Sequence, residues 1–132
     1  MTTAMRKNSE RPPLSKSEWA LMNLCWKRGR ATARQIYEDS LARRRRDYRT
    51  VKTMLDRIAA KGYLKVEKLG PLCLYTPVVS RREATSRAIR EFIDVVLDRT
   101  LAPLFLHLAE EEDLDEEELA ALRRLIEKEE RS

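Results

Sequence analysis

Arg49, Thr50, Lys52, Thr53 and Arg57 are the side chains through which this chain offers its chemistry. Arg and Lys donate to guanine O6 and N7, and Thr offers a hydroxyl together with a methyl for thymine. Just before them stand Arg43, Arg44, Arg45 and Arg46. Four adjacent arginines repel one another and stay wet. Their place between two helices, beside a candidate reading face, favours contact with phosphates. This is the chemistry of holding a polyanion. A catalytic centre needs convergent nucleophile, base or metal groups. The chain has one histidine, His107, and two cysteines, Cys25 and Cys73, with no CxxC and no usual zinc spacing. No enzyme activity, metal or cofactor is therefore expected. Cys25 lies in an apolar run and reads as a small core residue. Cys73 falls in a strand pattern in which either face is open to it.

The element that must position these side chains is a helix over Asp47–Gly62. Val51, Met54, Leu55 and Ile58 recur at three- and four-residue steps and line one face. Arg49, Thr50, Lys52, Thr53 and Arg57 fall on or near the other. Asp47 caps the start, and Gly62 stands just past the end, where a left-handed residue is wanted. Taken alone, this helix is equally a solvated basic surface, so the flanking chain decides. Leu14-Ser15-Lys16-Ser17-Glu18-Trp19 starts an earlier helix, with Ser15 as N-cap, Glu18 closing a capping box and Leu14 and Trp19 as a staple. Gly29 stops it. Thr32 and Gln35 repeat that grammar for a second helix running to about Ala42, with Ile36, Tyr37 and Leu41 as its apolar side. The short stretch before Thr32 is suited to an edge strand. After Gly62 the period changes: Leu64 to Lys68 alternates apolar with charged, Gly70-Pro71 turns, and Leu72 to Thr76 returns. Three helices and a hairpin, the third helix basic on its free face, are in the order of a winged helix-turn-helix. Lys65 and Lys68 suit a wing lying along the backbone.

Charge is divided along the chain. Residues 1–77 hold 18 Lys/Arg against 7 Asp/Glu, a net of +11, and residues 78–132 hold 9 against 15, a net of −6. A basic front fits a polyanion, either nucleic acid or an anionic membrane surface. No run is apolar enough to span a membrane, and residues 1–13 lack the apolar core of a signal peptide, which points to a cytoplasmic protein. Residues 1–13 read as a disordered basic arm, 14–78 as the winged helix and 79–132 as a helical domain. In that last part Ser80 caps a helix through Arg99, with Glu83 as box partner. The helix breaks near Thr100, which caps the next, and Pro103 sits in a first turn. Glu110 to Asp113 is an acidic connector, and Leu114 to Leu119 is a further staple and capping box. Ile89, Phe92, Ile93, Val96, Leu97, Leu101, Leu104, Phe105 and Leu108 continue as one apolar stripe, and Leu119, Leu122, Leu125 and Ile126 form another. Three thin helices bury so much apolar surface poorly in one copy. A second copy completes the core, and a two-fold protein matches a palindromic DNA site.

The strings Leu14-Ser-Lys-Ser-Glu-Trp-Ala-Leu-Met-Asn-Leu-Cys-Trp26, Arg49-Thr-Val-Lys-Thr-Met-Leu-Asp-Arg-Ile58, Lys61-Gly-Tyr-Leu64 and the acidic-to-leucine end Glu111 to Ile126 resemble the BlaI/MecI family of bacterial repressors, which includes the copper-responsive CopY proteins. The resemblance runs from Leu14 to about Lys128. It implies an N-terminal winged helix, a C-terminal dimerisation domain and palindromic operators containing TACA/TGTA elements. It also implies control of β-lactam resistance or cell-envelope stress genes. Arg49, Thr50, Lys52, Thr53 and Arg57 match the family's DNA-contacting helix. In the family, a protease linked to a membrane β-lactam sensor relieves repression by cutting an Asn-Phe bond, and the matching position here is His107-Leu108. The cysteine cluster that ends CopY proteins is absent from Glu129-Glu130-Arg131-Ser132. The competing expectation is a winged-helix interaction module, its acidic helices docking a basic partner, without sequence-specific DNA binding.

Overall fold

Three side-chain caps set the front half in place, each an interaction across three residues. Ser15 Oγ accepts from the Glu18 N–H at 3.2 Å, and Glu18 Oε1 accepts from the Ser15 N–H at 2.8 Å. Thr32 and Gln35 repeat this reciprocal box, and Asp47 Oδ1 accepts from the Thr50 N–H at 2.8 Å. In the computed structural model, which describes residues 10–111 and 114–131, these caps open α1 (Lys16–Arg28), α2 (Ala33–Ser40) and α3 (Tyr48–Ala60). Gly29 (φ +84) and Gly62 (φ +94) stand past the ends of α1 and α3 in the left-handed region that glycine enters without penalty.

A three-stranded antiparallel sheet completes the winged helix. β1 (Ala31–Thr32) and β2 (Leu64–Leu69) flank β3 (Leu72–Pro77). The register sets Ala31 and Val66 on either side of Tyr75, and Leu69 opposite Leu72 at the hairpin turn. The core between helices and sheet is formed by Leu21, Met22, Ile36, Val51, Leu55, Ile58 and Tyr75. α2 ends at Ser40, short of Ala42, which leaves Leu41 exposed rather than on the apolar side.

The chain forms two compact units divided after Ala88. The winged-helix unit therefore reaches past the expected boundary at residue 78. Val79 and Ala84 belong to its core, and Trp26 Nε1 donates to the Val79 carbonyl at 2.9 Å. Ser80 caps α4 (Arg81–Glu91) by accepting from the Glu83 N–H.

Nor is the whole N-terminal arm free. Arg11 is 4% exposed, and its Nε donates to the Gly62 carbonyl at 2.7 Å. The Tyr63 hydroxyl donates to the Pro12 carbonyl, and Lys61 Nζ to that of Pro13. Residues 11–13 thus strap the segment Lys61–Tyr63 just past the end of α3. The rest of the arm, residues 1–9, lies outside the described residues.

In the second unit α4 does not run to Arg99. It passes into a π-helical turn, Phe92–Val96, and reverses at Asp98 (φ 48) and Arg99 (φ 65). The β-branched Val95 and Val96 favour helix less than their neighbours. α5 (Ala102–Glu111) then starts from Leu101, whose carbonyl accepts from the Phe105 N–H, so Leu101 rather than Thr100 holds the cap position. Pro103 sits in its first turn. Of the expected connector, Glu110 and Glu111 are helical, and residues 112–113 lie outside the described residues. Asp115 and Glu118 make a reciprocal box that opens α6 (Glu116–Arg131).

Candidate nucleic-acid interface

α3 separates its two faces as its spacing requires. Val51, Leu55 and Ile58 are fully buried, while Arg49, Thr50, Thr53 and Arg57 are exposed. Among the described residues, none of these two arginines' side chains makes a hydrogen bond or salt bridge. Their donors remain available to an outside acceptor, as a groove-reading face requires.

Lys52 behaves differently. Its Nζ donates to Asp56 Oδ2 at 3.1 Å and to the Tyr75 hydroxyl at 3.0 Å, and it lies 5.7 Å from the centre of the Tyr75 ring. Tyr75, wholly buried on the central strand, in turn donates to Asp56 Oδ1 at 2.6 Å. The bond to Tyr75 and then that to Asp56 outweigh burial and raise the Lys52 pKa above the ordinary lysine range. Burial first, then the bond to Asp56, pushes the Tyr75 hydroxyl up to about 12. Lys52 is thus tied back into the fold, bracing α3 against the sheet.

The other expected cations fall into two groups. Arg43, Arg44 and Arg46 gather with Lys16 around a cleft of about 260 Å³ floored by Ala20, Leu21 and Leu24, and Arg45 is exposed beside them. On the wing, Lys65 faces Glu67 at 3.7 Å, and Lys68 is exposed and unpaired among the described residues. Periodicity overlooked the Lys61–Glu18 pair, 2.5 Å apart, which ties the end of α3 to the start of α1. It also overlooked Arg34, whose stacking partners come from α2 and α3.

In the second unit the apolar stripe is largely uncovered. Ile89, Phe92 and Val96 are exposed, as is Val95 at 78%, a residue the helical spacing had left out. Ile93, Leu101, Leu104, Phe105, Leu108, Leu119 and Leu122 are half-buried, and Leu106 and Leu125 are exposed. Leu97 departs from expectation: it is buried within its own chain, at the π-helical turn. The side chain of Ile126 lies outside the described residues. His107 is exposed and Leu108 half-buried, both inside α5. No described helix is long and apolar enough to cross a membrane, and the described residues contain no group of three or more His, Cys, Asp or Glu able to hold a metal ion.

This geometry agrees with what the chain is similar to. The solution structure of the DNA binding domain of the repressor BlaI superposes with a TM-score of 0.50 at 26% identity, covering 55% of this chain and 88% of that one. The methicillin resistance regulatory protein MecI of Mammaliicoccus sciuri is 28% identical over 87% of this chain and 94% of its own length. The penicillinase repressor of Bacillus licheniformis is 25% identical over 88% of this chain and 91% of its own. The model of the penicillinase repressor family matches residues 14–128, both the winged helix and the helices that follow it. On that near-complete match, the chain belongs to the penicillinase repressor family.

Proposed function

We propose that the chain represses transcription as a homodimer, each protomer placing α3 in one major groove of a palindromic operator and laying the β2–β3 wing along the backbone. The observation that carries this reading is the sorting of cations. Arg11, Lys52 and Lys61 are consumed by internal hydrogen bonds, while Arg49, Arg57, Arg43 to Arg46 and Lys68 keep their donors free. Arg49, Thr50 and Thr53 lie toward the N-terminal end of α3 and meet base edges. Arg57, the Arg43–Arg46 run, Lys65 and Lys68 hold phosphates and set the register. The exposed Ile89, Phe92, Val95 and Val96 support pairing with a second copy, and a two-fold dimer fits a palindrome.

The kinship with MecI and the penicillinase repressors supports control of β-lactam resistance or cell-envelope stress genes by a cytoplasmic protein. Release by a membrane sensor-linked protease at or beside His107–Leu108 belongs to the same proposal. That bond is helical, and a helix enters a protease cleft only after its turn opens, so cutting requires local unwinding of α5.

The test is binding of the full chain to a labelled palindrome with TACA/TGTA half-sites and to a scrambled duplex, at two salt concentrations. Preference for the palindrome by orders of magnitude at the higher salt is the expected result. Equal binding that collapses with salt on both duplexes overturns the reading of a TACA/TGTA operator, and selection of sites from random DNA then separates a different operator from recognition of charge alone.

A further inference from the structure

Arg34 stands apart from the other cations of the winged helix. It is the second residue of α2, on the first turn after the Thr32 cap. Its guanidinium carbon lies 4.6 Å from the centre of the Tyr48 ring and 5.5 Å from that of Tyr37. The two rings meet edge to face, 5.8 Å apart at 84°. Tyr48 is the first residue of α3, and Arg49 and Thr50 follow it directly. The bracket therefore joins the first turn of α2 to the first turn of α3, at the end of α3 from which the base-reading side chains project.

The neighbours of Arg34 show what is unusual about it. Arg28 forms a two-pronged pair with Asp39, at 2.6 and 3.0 Å, and Arg30 faces Glu67 at 3.9 Å. Among the described residues Arg34 has no carboxylate partner and no side-chain hydrogen bond; its guanidinium lies against the two rings. Stacking uses the face of a guanidinium and leaves the N–H donors around its edge free. A stacked arginine has also given up part of its rotamer freedom before any ligand arrives, so less is lost when it binds. A cation ordered in advance, without a counter-charge, at the mouth of the reading helix is suited to a phosphate. Arg34 is carried by α2 rather than α3, and in a helix-turn-helix the first helix of the pair crosses the backbone while the second enters the groove.

We propose that Arg34 contacts the DNA backbone and that Tyr48 and Tyr37 are the positioning residues that hold it in register with α3. This rests on the reading that α3 enters the major groove. It adds a phosphate contact outside the arginine run and α3, one that couples backbone register to the base-reading end.

The test uses the full chain, a labelled TACA/TGTA palindrome and a scrambled duplex, titrated across salt concentrations. Arg34→Ala is expected to weaken binding to both duplexes by about the same factor, roughly fivefold at moderate salt. The slope of log K against log salt should fall by about 0.9 for each protomer engaged. Arg34→Lys keeps the charge without the stacked fork, and should restore the slope but not the full affinity. Tyr48→Ala should weaken binding when Arg34 is present and cost nothing further in the Arg34→Ala background, while Tyr48→Phe, which keeps the ring, should bind like the parent. Arg34 is exposed, so its variants are expected to melt with the parent chain by circular dichroism. If the parent prefers the palindrome and Arg34→Ala changes neither affinity nor slope, the Arg34 contact is overturned alone. An equal cost of Tyr48→Ala with and without Arg34 overturns the bracket. If the parent itself fails to discriminate the duplexes, the TACA/TGTA reading falls, and the same Arg34 variants are then titrated on a site selected by the parent from random DNA; no selectable site overturns groove reading, and Arg34 as its register contact falls with it.

Discussion

Glu18 holds a nearly buried carboxylate at 2% exposure, and its surroundings explain how an ion is kept there. Burial alone raises its pKa. The bond from Lys61 Nζ, the Ser15 N–H, the Lys61 charge and the Ser15 hydroxyl together outweigh burial and leave the pKa below the ordinary carboxylate value of 4.5. A lowered folded pKa contributes stability that is complete above the unfolded value and is lost as pH falls through the folded one. Glu18→Gln is therefore expected to cost about 2 kcal/mol at neutral pH. It should also flatten the loss of stability as pH falls below the ordinary carboxylate value of 4.5. Denaturant melts of both chains over that range measure the difference; parallel curves would show that Glu18 is not the titrating group. The two thiols differ for a related reason. Burial pushes Cys25 up to about 12, so its reactive thiolate is suppressed in the folded chain, whereas Cys73 is only partly covered. A thiol reagent should label one equivalent, Cys73, in the native protein and the second only at the rate of unfolding. Fast labelling of both would contradict the burial of Cys25 on the inner face of α1.

At the scale of elements, α3 is held at its start by Asp47, along its length by Lys52, Asp56 and Tyr75, and at its end by the strap through Arg11 and Lys61. A reading helix so fixed presents its front as a rigid unit, and the roles of helix and wing are then separable by mutation. Arg49→Ala should relax sequence preference, costing about 1–3 kcal/mol on the preferred site and little on scrambled DNA. Lys68→Ala should weaken all duplexes alike and lower the salt slope by about 0.9 for each protomer engaged. Competition binding on both duplexes separates the two behaviours, and an equal loss of preference from both variants would overturn the division. The caps are testable too. Thr32→Ala removes the side-chain acceptor of the α2 box, Thr32 Oγ1, which takes the Gln35 N–H, and is expected to cost about 1 kcal/mol, read as a lowered melting temperature.

For the whole molecule, the decisive feature is the apolar surface left open in the second unit. Ile89 lies near the end of α4, and Phe92, Val95 and Val96 lie in the π-helical turn that follows. Exposed apolar residues in sequence-adjacent positions mark an interaction surface more often than free surface. In the proposed dimer two copies bury them, and the two-fold axis sets the spacing of operator half-sites. The double variant Phe92→Glu/Val96→Glu is expected to sediment as a monomer where the parent sediments as a dimer. It should retain weak binding to a single half-site while losing the extra affinity that the palindrome confers. A variant that still sediments as a dimer would place the interface elsewhere, for instance on Leu106 and Leu125.

Local interactions were legible in the sequence because their partners lie within a few residues. The Ser15, Thr32, Asp47, Ser80 and Asp115 caps, the Gly29 and Gly62 stops and the Gly70 turn stand where their spacing predicts, and the buried face of α3 follows from its period. The family was legible for the same reason, since its strings are those same elements in order. What the tertiary structure alone decided is which charges are free. Lys52 finds Tyr75 23 residues away, Lys61 finds Glu18 43 away and Arg11 finds Gly62 51 away. Helical period places such residues on a face but says nothing of a partner brought in from another element. The same limit moved the unit boundary to Ala88, since Val79 and Ala84 join the core through three-dimensional packing. It also hid Arg34, whose bracket exists only because folding sets the start of α2 beside the start of α3.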